Sequence, residues 1–248
     1  MEENTRFIAY AHRGASEYCP ENTLLAFYTG IFMGANGIET DVQRTKDGKL
    51  VLFHDSTLTR VTGQEGAIED YTFEELSAFD VSGNGLSDKI VLFEDFLSHF
   101  AFRDITFAIE LKKAECEKDV ADAIFRYHLE NKVVLTSFKF EYIQKMKNYA
   151  PDLRVGYLKR EITDEDVAAL RDIGAYEVCP GGCSVTPERV AAWHREGFHV
   201  RAWGVSDDAL MRSVYDAGVD GMTVNFPDRL VAYIAEKKSA FVPKNGGK

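Results

Sequence analysis

Cysteine is scarce in this chain. Its four copies, Cys19, Cys116, Cys179 and Cys183, are too few for a disulfide scaffold in 248 residues, so reduced thiols are expected. The one close pair brackets Pro180-Gly181-Gly182, which reads as a turn and not as half of a zinc site. Long apolar runs are missing too. No stretch approaches the length of a membrane span, and the acidic start Met1-Glu2-Glu3-Asn4-Thr5-Arg6 lacks the apolar core of a secretory leader. The expectation is a cytoplasmic protein without stable membrane insertion. Positive charge is in the minority, with 29 Lys and Arg against 40 Asp and Glu and a formal charge of −11. No basic run offsets it, which excludes nucleic acid and anionic membranes as expected partners.

What is present is ample apolar material, 45% of residues, for the core of one α/β domain spanning 1–248. Short apolar runs at 7–11, 37–42, 50–54, 105–111, 133–138, 153–158, 175–179, 199–205 and 221–224 read as strands. Helical patterns alternate with them at 21–35, 116–130, 140–149, 163–173, 187–196 and 207–216. Strand-then-helix units with short connections imply parallel strands and right-handed crossovers, and the length suits a closed TIM (β/α)₈ barrel. Nine strand candidates are one too many. The surplus lies either around the Asp47-Gly48 turn or at the C-terminal end. Residues from about 56 to 103 break the rhythm with glycines and two short helices, near 72–79 and 92–102, and are expected to form a small inserted region after the third strand. A solvated tail is expected at about 237–248. An open doubly wound sheet is the alternative, but it gathers its chemistry at one crevice, whereas here candidate groups close many strands.

Those groups are His12-Arg13-Gly14, Glu39-Thr40-Asp41, His54-Asp55 and Glu110-Leu111-Lys112. Side chains two apart on a strand share a face, so Glu39 and Asp41 point together, and Glu110 closes another strand of the same mouth. Three adjacent carboxylates repel. One divalent cation relieves them, and an all-oxygen set suits Mg²⁺ or Ca²⁺ better than zinc. His12 and His54 have the ordinary pKa range for moving protons at neutral pH. Arg13 carries a planar fork matched to phosphate oxygens, Lys112 shares a face with Glu110, and Gly14 permits a tight turn. The combination points to metal-assisted cleavage of a phosphate ester. The bland alternatives are Arg13 paired with Glu21 and Lys112 as a surface residue beside Lys113. His99, His128, His194 and His199 lack such company and receive no function.

An ordered set of strings now stands out: Ala11-His12-Arg13-Gly14, Pro20-Glu21-Asn22-Thr23, Ile38-Glu39-Thr40-Asp41-Val42, Phe53-His54-Asp55, Glu110-Leu111-Lys112, Ser137-Phe138, Trp203-Gly204-Val205 and Gly218-Val219-Asp220-Gly221. In this order and spacing the chain resembles the glycerophosphodiester phosphodiesterases over nearly its whole length. The resemblance implies a TIM-barrel hydrolase that splits a small-molecule glycerophosphodiester, such as glycerophosphocholine or glycerophosphoethanolamine, into sn-glycerol 3-phosphate and an alcohol. It implies that Glu39, Asp41 and Glu110 hold the metal and that His12 and His54 are general acid and base. Arg13 and Lys112 then bind phosphate, Trp203 walls the glycerol, and Glu21 and Asn22 sit in or beside the site.

The same resemblance places Leu58-Thr59-Arg60-Val61-Thr62-Gly63 in an inserted region that shapes leaving-group selectivity. Asn225 departs from the pattern, since many relatives carry Asp there, and it is expected to be structural. Attack by water and attack by the neighbouring glycerol hydroxyl, through a cyclic phosphate, both remain open. One rival is an enzyme that stops at the cyclic phosphate, as the distantly related phospholipase D toxins do, but those are secreted and disulfide-bonded. Another is a non-catalytic binding barrel, which predicts a missing ligand or histidine; none is missing.

Overall fold

The computed structural model describes residues 6–240. It opens with β1 (Ile8–His12), α1 (Leu24–Phe32), β2 (Gly37–Arg44) and β3 (Leu50–Leu52). Short pieces follow: α2 (Thr59–Thr62), α3 (Phe73–Ser77), β4 (Asp80–Gly83), β5 (Leu86–Lys89) and α4 (Phe93–Phe100). Regular alternation then runs through β6 (Thr106–Leu111), α5 (Glu117–Arg126), β7 (Val133–Ser137), α6 (Phe140–Tyr149), β8 (Arg154–Lys159) and α7 (Asp164–Asp172). It ends with β9 (Glu177–Pro180), α8 (Pro187–Arg195), β10 (His199–Val205), α9 (Asp208–Asp216), β11 (Gly221–Val224) and α10 (Pro227–Ala240).

Parallel pairing runs from β1 through β2, β6, β7, β8, β9, β10 and β11 and returns to β1, closing a TIM barrel. The surplus strand is β3, antiparallel on β2 with Leu52 opposite Val42, so the extra piece is the one after the Asp47-Gly48 turn. β2, β7, β9 and β11 are buried on nearly every residue because helices cover one face and packed side chains fill the other. Several helices start where the sequence supplies a cap. Thr23, Thr163, Thr186 and Asp207 each accept a backbone N–H of the first turn, and Pro187 follows Thr186 at a position with no N–H to satisfy.

The apolar core lies between barrel and helices, and a second cluster of Val51, Phe53, Leu58, Val61, Ile68, Leu76, Val81 and Ile90 forms under the inserted pieces. Several expected boundaries shift. The strand expected at 50–54 stops at Leu52, leaving His54 in a loop. α1 starts at Leu24 because Asn22 adopts φ +56° and Thr23 is the cap. α5 stops at Arg126, and the positive φ of His128 ends any continuation to 130. The β4–β5 hairpin had no expected counterpart, nor did α10. α10 also takes in residues 237–240 of the expected tail, and 241–248 lie outside the described residues. Among the described residues no helix is long and apolar enough to cross a membrane.

Candidate active site

Strand register assembles the site. β1 and β2 pair with His12 beside Glu39, and β2 and β6 pair with Asp41 beside Glu110, so three strands present four polar side chains to one end of the barrel. Glu39 and Asp41 lie within β2 and not at its end, both buried. After His12 the backbone turns sharply through Arg13 at φ +55° and Gly14 at φ +82°. A Cβ on Gly14 would meet the Ala26 carbonyl carbon at 2.4 Å, so only glycine fits. The Arg13 N–H donates to the Glu39 carbonyl at 2.9 Å, fastening this corner to β2.

Carboxylate oxygens of Glu39, Asp41 and Glu110 lie within 4.8 Å of one another. Asn22 donates from Nδ2 to Asp41 Oδ2 at 2.9 Å and accepts from Thr40 Oγ1 at 2.8 Å, which sets the Asp41 carboxylate. Arg13 Nε stands 3.3 Å from Asp41 Oδ2. Lys112 Nζ is 2.9 Å from Glu110 Oε1 and 3.6 Å from Asp41 Oδ1. Burial and the charge of Asp41 push Glu39 up to about 8 and Glu110 up to about 7. Burial works against ionisation of Asp41 as well, but Arg13, Lys112 and His54 overcome it and hold its carboxyl down to about 2. Asp41 Oδ1 is nevertheless buried without a hydrogen-bond donor. An orphaned carboxylate oxygen between two carboxyls that resist ionisation fits a hard divalent cation, which would supply the missing positive charge.

The two imidazoles have different backing. His12 Nδ1 lies 2.5 Å from Asn225 Oδ1, and burial with the nearby Arg13 charge lowers its pKa to about 4. His54 Nδ1 lies 2.7 Å from Asp55 Oδ1, and burial lowers its pKa as well. The buried Gln43 amide donates to the carbonyls of Phe53 at 2.9 Å and Asp55 at 2.8 Å, holding the loop that carries His54. Both histidines line a cleft of about 180 Å³ together with Arg13, Glu39 and Glu110. Trp203 and Phe138 form its apolar side, edge to face at 4.8 Å between centroids, and the Trp203 indole donates to the Cys179 carbonyl at 2.9 Å.

All ten residues singled out from the sequence gather at this end of the barrel, though not all face the cleft. Glu21 accepts from Arg13 Nη1 at 2.9 Å, so the Arg13–Glu21 pairing of the bland reading does form, on an arginine that also reaches Asp41. Lys112 is mostly buried against carboxylates beside the cleft, which departs from the surface reading. Asn225, expected to be structural, is in contact with the ring of His12. Sequence reasoning also missed Arg201, fully buried on the cleft floor, donating to Glu177 at 3.0 Å and Thr223 at 2.9 Å. Its only signal was an arginine inside an otherwise apolar strand.

Residues 12–229 match the Glycerophosphoryl diester phosphodiesterase family. A Caldanaerobacter subterraneus subsp. tengcongensis protein named glycerophosphodiester phosphodiesterase is 34% identical, over 90% of this chain and 96% of its own. A Bacillus altitudinis protein of the same name is 33% identical, over 92% and 98%. The crystal structure of glycerophosphodiester phosphodiesterase from Thermotoga maritima superposes with a TM-score of 0.78 at 26% identity, covering 92% of this chain and 98% of that one.

Proposed function

The chain belongs to the glycerophosphoryl diester phosphodiesterase family, and from that membership we propose that it hydrolyses glycerophosphodiesters such as glycerophosphocholine or glycerophosphoethanolamine to sn-glycerol 3-phosphate and an alcohol. The observation that carries the reading is the cluster of Glu39, Asp41 and Glu110, two of which line the same cleft as His12 and His54 with Asp41 buried between them. Glu39, Asp41 and Glu110 would hold one divalent cation, Mg²⁺ or Ca²⁺, and its positive charge would be the chemistry it supplies beside the phosphate.

Arg13 stands on the cleft wall and offers its guanidinium N–H groups to the phosphate, while Lys112 adds a second fixed cation from behind Glu110. His12, backed by a neutral amide and held low, is neutral at pH 7 and suits the base that takes a proton from the attacking hydroxyl or water. His54 has a carboxylate behind it, which only partly offsets the burial that lowers its pKa and holds the ring with Nε2 towards the cleft, and is left as the partner that protonates the departing alcohol. Trp203 supplies the apolar wall for the glycerol carbons. Glu21 orients Arg13, and Asn22 orients Asp41.

The test is release of glycerol 3-phosphate from both substrates with chelator, followed by adding back single metals. Turnover restored by Mg²⁺ or Ca²⁺ is expected, and no turnover with any ion would sink the reading. Phosphorus NMR of the products separates full hydrolysis from an enzyme that stops at a cyclic phosphate.

A further inference from the structure

Between His54 and Arg13 lies a guanidinium that the mechanism above does not use. We propose that Arg60, from the inserted segment, is a positioning residue for both: one edge fixes Asp55, and through it His54, and the other fixes Glu21, and through it Arg13. The inference rests on the activity proposed above for its catalytic meaning, though the clamp itself is read independently of turnover.

Arg60 makes four hydrogen bonds. Nε and Nη2 donate to the two Asp55 oxygens at 2.5 and 3.0 Å, and Nη1 and Nη2 donate to the two Glu21 oxygens at 2.9 and 2.7 Å. Each carboxylate has a second task. Asp55 Oδ1 accepts from His54 Nδ1, and Glu21 Oε1 accepts from Arg13 Nη1. The chain of contacts therefore runs from His54 through Asp55, Arg60 and Glu21 to Arg13, and on to Asp41. Glu21, His54 and Asp55 bring ligand atoms within 4.8 Å, close enough to hold a metal ion, and the Arg60 guanidinium already supplies a cation to both carboxylates of that set. Lysine has no planar fork and cannot reproduce two bidentate contacts.

The sequence of the insertion explains why Arg60 arrives there. Leu58 and Val61 are buried in the second apolar cluster, Thr62 N–H closes the single turn of α2 onto the Leu58 carbonyl at 3.1 Å, and Gly63 at φ +71° ends it. Two buried anchors on one side leave Arg60, half exposed, on the side of the mouth. Arg60 is half exposed but Glu21 and Asp55 are only 16% and 20% exposed, so losing it is expected to cost position first and a modest part of the stability. Asp55 as acceptor selects the tautomer of His54 with its proton on Nδ1, leaving Nε2 for the cleft.

The charged groups that face His54 are Asp55 and Glu21, both with oxygens within 4.8 Å of the ring, and Asp41, Arg13 and Lys112 act on it as well. In Arg60→Gln the Asp55 charge is no longer offset, so the His54 titration moves up in pH; in Asp55→Asn it moves down. The experiment compares Mg²⁺-loaded wild type, Arg60→Gln, Arg60→Lys and Asp55→Asn by ¹⁵N NMR of the His54 ring, melting temperature, and kcat and KM against pH with glycerophosphocholine. Expected are an Nδ1–H tautomer in the wild type and a tautomer mixture in Arg60→Gln. Arg60→Gln should also lose about 10-fold or more in kcat, within the range a positioned acid contributes, while remaining folded at the assay temperature. Arg60→Lys should restore the titration but not kcat. An Nε2–H tautomer in the wild type, or a folded Arg60→Gln with wild-type tautomer, titration and kcat, overturns the proposal. A wild type without turnover defeats the activity reading alone; the NMR comparison then still supports or overturns the clamp.

Discussion

His12 Nδ1 and Asn225 Oδ1 lie 2.5 Å apart across 213 positions of sequence, so the end of the first barrel strand and the residue just after the last are joined by a side-chain hydrogen bond behind a catalytic candidate. The amide is neutral, which leaves burial and Arg13 free to lower the imidazole pKa to about 4. Asn225→Asp puts a carboxylate in the same place. It should raise the pKa of His12 by about one to three units, the usual effect of an adjacent opposite charge. A base must be unprotonated, so the acid limb of kcat/KM should move to higher pH by the same amount. A pH–rate profile with unmoved limb would show that His12 is not the base.

Glu39 and Glu110 pull stability in one direction with pH. Their folded pKa values, about 8 and about 7, lie above the ordinary carboxylate value of 4.5, so between those limits the folded protein holds protons that the unfolded chain releases. Metal-free protein should therefore lose stability as pH rises from about 4.5 to about 8. Mg²⁺ or Ca²⁺ reverses the sign by favouring the ionised carboxyls, and its stabilisation should be largest at the upper end of that window. Thermal melts across pH, with chelator and with each ion, check both halves. Glu39→Gln should flatten the metal-free decline and abolish most of the metal response.

Glu177 and Arg201 behave in the opposite way. Burial alone would raise the Glu177 pKa, but Arg201 and His199 hold it down to about 2. That contribution to stability is complete above the unfolded value of about 4.5 and is lost as pH falls through it towards about 2. Removing one partner strands a buried charge, so Arg201→Met should cost about 3–5 kcal/mol, whereas Arg201→Met with Glu177→Leu should recover much of the loss. Urea denaturation of the single and double variants at pH 7 decides it. Equal destabilisation by both would mean that the packing of the arginine stem, and not its charge, is what matters.

Gly14→Ala tests the corner that aims Arg13. The added Cβ meets the Ala26 backbone at 2.4 Å and the residue sits at φ +82°, so strain and clash act together. A loss of at least about 2 kcal/mol is expected, with kcat falling further than stability because Arg13 shifts with the turn. Denaturation and kinetics on the same preparation separate the two effects.

Much of this site was legible in the chain because carboxylates, imidazoles and cations at fixed spacing mean little alone and a great deal in order. Glu39 and Asp41 share a face by the two-residue period of a strand, and that period is local. His54 was placed on a strand that in fact ends at Leu52; its position depends on Gln43 pinning the loop, a contact between segments that no local pattern contains. The Asn225 contact with His12, Arg60 and Arg201 escaped for the same reason. Each acquires its role from a partner brought near by closure of the barrel or by the insertion's own apolar cluster.

The sequence by itself therefore determined the alternating elements, the barrel and the identity of the carboxylates, imidazoles and cations that gather at its mouth, because periodicity and residue chemistry are properties of neighbours along the chain. Only the tertiary structure decided which strand was surplus, which side chain backs each histidine, and that Lys112 is mostly buried against the carboxylates beside the cleft. Those are distances between residues far apart in sequence, set by strand register and by packing, and hydrogen bonds and charge interactions depend on distance.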